Sequence, residues 1–223
     1  MGKKAIILGA TGLTGGHVLK LLLDNAAYET VIVFGRTSVG FKHPKLQEHL
    51  TDLFTLQEEH AHFHADEVYC CIGTTKAKTP DKETYKKIDY GIPLTAAQLC
   101  ERNDIENLVV ISALGANPES GIFYNRLKGE MEQAVQQAHS GNTFIVQPAL
   151  ISGDREENRT GEWLFKQLFK GLNYLLVGPL KKYRSIHPEQ IAKAMICLAD
   201  SDYTPGVYEN DRLIDLATSC NKQ

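Results

Sequence analysis

The chain has no apolar run approaching the roughly 20 residues that a bilayer-spanning helix needs, so a soluble protein is expected and a membrane is not an expected partner. It also lacks a basic field. Its 24 Lys and Arg stand against 27 Asp and Glu, for a formal net charge of −3, which argues against nucleic acid as a partner. Cysteine is scarce: Cys70, Cys71, Cys100, Cys197 and Cys220 contain no CxxC pair and are odd in number, so reduced thiols in a cytoplasm are expected. The adjacent Cys70 and Cys71 lie in an apolar run, where strand geometry sends them to opposite faces and core packing is their role. No secretion signal is expected at the start, because Lys3 and Lys4 precede only a short apolar run that Gly9 breaks, against the roughly 7–15 residues a signal core needs. No internal repeat and no Gly/Ser-rich linker divides the 223 residues, so one domain over 1–223 is expected.

What is present is alternation. Short β-rich runs take turns with longer amphipathic ones, the order of a parallel sheet with crossover helices. Strands are predicted over 4–9, 30–34, 46–51, 67–72, 107–112 and 143–147, and helices over 13–23, 81–102 and 122–138. In the last helix Leu127, Met131, Val135 and Ala138 recur at spacings of three and four and form one buried stripe. After Pro148 the alternation weakens into a loop at 152–160 and an apolar helix candidate at 162–169. A further helix is opened by Pro188, whose missing N–H is unneeded in a first turn, and Ile191, Met195 and Leu198 supply its core face. The expected fold class is α/β, a doubly wound parallel sheet, with 149–223 partly forming a small substrate-side cap.

Gly9, Gly12 and Gly15 follow an apolar strand and open a helix, in GxxGxxG spacing. Glycine there permits a tight turn, close approach of a diphosphate to the backbone and close helix-to-strand packing, while the helix start attracts the anion. The spacing departs from the GxGxxG of dehydrogenases, but with a strand before it, a helix after it and the alternation behind it an NAD(P)-binding Rossmann fold is expected; a merely structural turn is the alternative. About 20 residues past such a motif, NAD-preferring proteins offer an acid to the ribose hydroxyls, whereas this chain offers Gly35-Arg36-Thr37. A carboxylate repels a 2′-phosphate and a guanidinium binds it bidentately, so NADP(H) is the expected cofactor, with a solvated loop arginine as the bland alternative. Asp52 ends the third strand, where an aspartate can accept from the adenine amino group, and Gly73 lets the chain after the fourth strand pass close to the cofactor.

Tyr124 and Lys128 stand in i,i+4 relation on a predicted helix and share a face, with Ser112 at the end of the fifth strand. A phenol titrating near pH ~10 is a poor base at neutrality, and a nearby ammonium favours its phenolate. Tyr124 is therefore the candidate acid/base, Lys128 its tuner and a ribose anchor, and Ser112 the group that orients a substrate carbonyl. The bland alternative is an exposed Tyr/Lys pair on an amphipathic helix. His60, His62 and His64 alternate, but no zinc-type spacing accompanies them, so a solvated loop or helix end is expected and no metal site. Arg184 and His187 are candidates for the border of a substrate pocket.

The stretches GATGLTG, GR, CCIGTTKAK, YNRLKGEME and GDREENRTGEWLF resemble the atypical short-chain dehydrogenase/reductases, in their HIV Tat-interacting oxidoreductase-like, NmrA-like subgroup, over most of the chain. The resemblance implies that Thr11, Gly12, Leu13 and Thr14 touch the pyrophosphate, Arg36 and Thr37 the 2′-phosphate, and Ile72 and Gly73 the middle of the cofactor. It further implies Tyr124 and Lys128 at the nicotinamide ribose, Ile151, just past Pro148, by the nicotinamide, and Arg159 folding back over the cofactor. One departure stands out: relatives often carry consecutive serines after the fifth strand, and this chain has Ser112-Ala113. If the carbonyl-binding hydroxyl belongs at 113, the site lacks it. Three functions are in view: an NADP(H)-dependent oxidoreductase acting on a small carbonyl or alcohol, a non-catalytic NADP(H)-binding regulator acting through a protein partner, and a nucleotide-sugar epimerase. The small region after Pro148 argues against the third.

Overall fold

The structure, a computed structural model, describes residues 2–152, 176, 178–200 and 202–220. The strands are β1 (Lys3–Leu8), β2 (Tyr28–Gly35), β3 (Leu46–Leu50), β4 (Glu67–Cys70), β5 (Asn107–Ile111), β6 (Asn142–Gln147) and β7 (Gly206–Glu209). They form one parallel sheet in the order β3-β2-β1-β4-β5-β6-β7, the doubly wound arrangement expected from the alternation. The helices are α1 (Leu13–Asp24), α2 (Lys82–Lys86), α3 (Ile92–Arg102), α4 (Phe123–Ala138), α5 (Pro188–Ala199) and α6 (Asn210–Ser219). Strand alternation divides the core. Ala5, Ile7, Tyr69 and Val109 face α1, α5 and α6, while Ile6, Leu8, Cys70 and Val110 face α3, α4 and the 3-10 segment Leu53–Ala61. No helix among the described residues is long and apolar enough to cross a membrane.

Three features depart from expectation. The helix predicted over 81–102 is interrupted by a π turn at Lys87–Gly91, where the Ile92 N–H donates to the Lys87 carbonyl. Pro93 has no N–H for the carbonyl four residues back, so the ladder slips by one residue. That slip brings the Asp89 side chain inside, where it is buried. Second, β7 and α6 add an edge strand and a helix that periodicity misses, because β7 is only four residues long and none of them is buried. Much of the described tail thus extends the sheet and one helical layer. Third, the cysteine reading is corrected at two positions. Cys197 and Cys220 form a disulfide, with Cα atoms 6.2 Å apart, because α6 folds back on α5. Cys70, Cys71 and Cys100 remain thiols, and burial pushes the Cys70 thiol up to about 11, which suits packing rather than reactivity. The helix candidate at 162–169 and most of the 152–160 loop lie outside the described residues.

Candidate active site

The cleft lies at the carboxyl edge of the sheet, where the order turns outward from β1 on one side and β4 on the other. Gly9 leaves β1 with φ +87°, and a Cβ on it would stand 2.9 Å from the Cys71 carbonyl oxygen. A Cβ on Gly15 would lie 2.1 Å from the Gly9 carbonyl oxygen, so α1 sits against the loop as only glycine permits. Gly12 is the N-cap of α1 and no side chain caps it, which leaves the helix start to an anion. Two adjoining cavities, of about 360 and 660 Å³, share Gly9, Thr11, Arg36, Leu53 and Ile72 in their walls. Thr37 lines the smaller one; Gly12, Asp52 and Gly73 line the larger. One oxygen of Asp52 accepts from the Phe54 N–H at 3.0 Å and caps the 3-10 segment.

The other predicted residues that the structure describes in this part of the chain stand in the walls of neither cavity. Leu13, Thr14 and Gly15 form the first turn of α1, where Thr14 and Gly15 are buried. Pro148 follows β6 and its carbonyl accepts from the Leu114 N–H, while Ile151 bridges to Ile186. Buried Asn210 fastens this corner, accepting from the Ala149 N–H at 3.0 Å and donating to the Arg184 carbonyl at 2.8 Å. Arg184 Nε donates to the Leu176 carbonyl and His187 caps α5, so both carry structural duties. Arg159 lies outside the described residues.

Two of the candidate catalytic residues, Tyr124 and Lys128, stand on α4. Lys128 is buried, and its Nζ meets Asp89 Oδ1 at 2.9 Å, while Asp89 Oδ2 accepts from the Thr74 N–H at 2.8 Å. The pair lies beneath Gly73, since a Cβ there would be 3.7 Å from Asp89 Oδ1 and 4.0 Å from Lys128 Nζ. Tyr124, one turn earlier on α4, is 38% exposed. Ser112 is buried and its hydroxyl donates to Glu132, which also accepts from Gln147 Nε2 at 2.9 and 3.1 Å. Sequence reasoning misses Asp89, Glu132 and Gln147. Glu132 alone had a signal, its i,i+4 relation to Lys128; the other two reach the site through the tertiary fold.

Burial raises the Glu132 carboxyl above the usual glutamate range, against the lowering influence of Ser112, Gln147 and Lys128. A raised folded-state value means that Glu132 supports the fold when protonated and withdraws that support as pH rises from the ordinary carboxylate range through its own. Glu132→Gln, neutral throughout, is therefore expected to gain on the wild type in melting temperature as pH rises above the ordinary carboxylate range, the two stabilities diverging by at most roughly 1.4 kcal/mol for each step of one in pH. Melting temperatures of the two proteins that run parallel from acid to neutral pH would remove the argument.

The model of a family described as "NAD dependent epimerase/dehydratase family" matches residues 5–209. "Protein FMP52, mitochondrial" of Debaryomyces hansenii is 30% identical over 207 residues, covering 91% of this chain and 90% of its own. "Protein HTATIP2" of Rattus norvegicus is 29% identical over 174 residues, covering 76% and 72%. Among solved structures, the Bordetella bronchiseptica enzyme WbmH in complex with NAD+ superposes with a TM-score of 0.70 at 16% identity, over 94% of this chain and 76% of that one. The family resemblance read from the motifs holds, and so does the fold class. The cytoplasmic reading does not: several fungal relatives are named mitochondrial.

Proposed function

The chain belongs to the NAD dependent epimerase/dehydratase family, and from that premise we propose that it is an NADP(H)-dependent oxidoreductase acting on a small carbonyl or alcohol. The observation that carries this reading is the continuity of the cleft. Gly9, Thr11 and Gly12 stand at its centre, Arg36 and Thr37 line one part, and Gly73, above Lys128, lines another. The parts match a dinucleotide: an uncapped helix start for the diphosphate, a guanidinium for a 2′-phosphate, and a bare backbone for the middle of the cofactor. In this reading Leu13, Thr14 and Gly15 complete the diphosphate cradle, Asp52 takes the adenine amino group, Ile72 covers the middle, and Pro148 and Ile151 flank the nicotinamide.

When bound, the nicotinamide supplies or takes the hydride, and the protein moves the matching proton. Tyr124 gives that proton from its phenol oxygen to the carbonyl oxygen in reduction and takes it back in oxidation. Lys128 holds the ribose hydroxyls and favours the phenolate, with a field weakened by its Asp89 partner. The Ser112 proton is committed to Glu132. A protonated Glu132, the form that burial favours, donates to Ser112 Oγ instead, and Ser112 can then donate onward to the substrate oxygen.

Parallel titration with NADPH and NADH, followed by a carbonyl panel, tests this reading. NADPH is expected to bind more tightly, and Arg36→Glu to lose roughly 10- to 100-fold in NADPH affinity while NADH changes little. Tyr124→Phe is expected to lower turnover by about 10²–10⁴-fold. Equal affinity of the wild type for the two cofactors sinks the 2′-phosphate argument, and unchanged turnover in Tyr124→Phe sinks the proton donor. A second reading, a cofactor-binding regulator that acts through a protein partner, draws support from how fully Lys128 and Ser112 are satisfied within the fold and from Ala113. Tight NADPH binding with no turnover across the panel favours it.

A further inference from the structure

We infer that His49, Glu59 and His62 form a binding site for a divalent transition metal ion, with Zn²⁺ the best match to the donor set. The alternating His60, His62 and His64 do not act together. Instead His62 is grouped with His49 of β3 and Glu59 of the 3-10 segment, and one ligand atom of each lies within 4.8 Å of the others. Two imidazoles and a carboxylate suit Zn²⁺, whereas Mg²⁺ and Ca²⁺ prefer all-oxygen sets.

The spacing is close to what coordination needs. His62 Nδ1 and Glu59 Oε2 are 3.4 Å apart. Bonds of about 2.0–2.1 Å in a tetrahedron set neighbouring ligand atoms roughly 3.3–3.4 Å apart. The two histidine rings lie 5.1 Å apart between centroids at 36°, and the His49 donor stands within 4.8 Å of the other two. His62 is 62% exposed, which leaves a fourth position to water and gives the ion a path from solvent.

The donors stand on a rigid frame. Phe34 stacks on His49 at 4.8 Å and 24°, and buried Phe63 packs on Phe34 at 5.4 Å. The His62 N–H donates to the Glu59 carbonyl at 2.9 Å, which holds the i,i+3 side chains on one side of a turn. Asn103 Nδ2 donates to the His60 and Phe63 carbonyls at 3.0 and 2.5 Å and clamps that turn from both ends. An ion held here would tie β3 to the segment whose first residues, Leu53 and Phe54, line the larger cavity together with Asp52. The site stands apart from Tyr124 and Lys128 and does not depend on the proposed reaction.

Metal-stripped full-length protein titrated with Zn²⁺ against a chromophoric chelator tests the inference. About one ion per chain is expected, with affinity falling at least about tenfold in His49→Ala and in His62→Gln, and unchanged in the His60→Ala/His64→Ala double variant. His62→Gln alters an exposed side chain, and a wild-type melting curve in the stripped state shows that its loss of binding is not a loss of fold. Co²⁺ substitution is expected to give visible d–d bands without thiolate charge transfer. No Zn²⁺ uptake by the wild type, uptake that survives both His49→Ala and His62→Gln, uptake lost with His60 and His64, or a thiolate band from Co²⁺ would each overturn the site.

Discussion

Gly15→Ala is expected to weaken binding of the proposed cofactor by roughly 10- to 100-fold, through about 1–3 kcal/mol of overpacking at the start of α1. The added Cβ meets the Gly9 carbonyl oxygen at 2.1 Å, the Gly9 carbonyl carbon at 2.7 Å and Ala10 Cα at 3.2 Å. All three are backbone atoms, so no rotamer change relieves the clash. The β1–α1 loop has to move by about an ångström, away from the position in which the helix start faces the cleft. The melting temperature should fall by about 2–4 °C for each kcal/mol. Gly121→Ala is the matched control, because nothing lies within 4 Å of its Cβ and its φ is not in the left-handed region. Thermal melts and NADPH fluorescence titrations of the two variants decide the matter. Wild-type affinity in Gly15→Ala would show that this loop does not hold the diphosphate.

The largest loss of stability is expected from Asp89→Ala. Asp89 and Lys128 are 1% and 3% exposed and meet at 2.9 Å, so removing the carboxylate leaves an ammonium in the interior without a counter-charge. The Thr74 N–H loses its acceptor in the same substitution. Breaking one partner of a buried pair costs about 3–5 kcal/mol, equivalent to roughly 6–20 °C in melting temperature for a chain of this size. The double variant Asp89→Leu/Lys128→Met should recover most of that loss, because two apolar side chains of similar volume carry no desolvation cost. A single variant that melts with the wild type would show that Lys128 reaches solvent or another anion. A double variant as unstable as the single one would point to packing rather than charge.

The legible parts of this molecule were those written in neighbouring residues. Ala5, Ile6, Ile7 and Leu8 alternate between the two cores as a strand inside a doubly wound sheet requires, and Leu127, Met131 and Val135 fall on one buried stripe of α4. The break in the helix over 81–102 is not legible in apolar spacing, which says nothing about how Pro93 shifts a hydrogen-bond ladder. The grouping of His62 with His49 carries no signal in the spacing of His60, His62 and His64, because His49 belongs to β3 and is distant along the chain. Cys197 and Cys220 gave no spacing signal for the same reason, since their meeting depends on α6 turning back over α5.

By itself the sequence determined the alternation of the first six strands with the helices between them, the glycine-lined turn after β1, the guanidinium after β2 and the i,i+4 relation of Tyr124 and Lys128. Each of these follows from backbone sterics or from a 2.0 or 3.6 residue period, which act between residues close along the chain. Only the tertiary structure decided that Lys128 shares its charge with Asp89, that Ser112 gives its proton to Glu132, and that His49 joins Glu59 and His62. Those pairings join distant stretches of chain or depend on a side chain being shut away from water. Their strength comes from burial and close approach, which exist only once the layers have closed on the sheet.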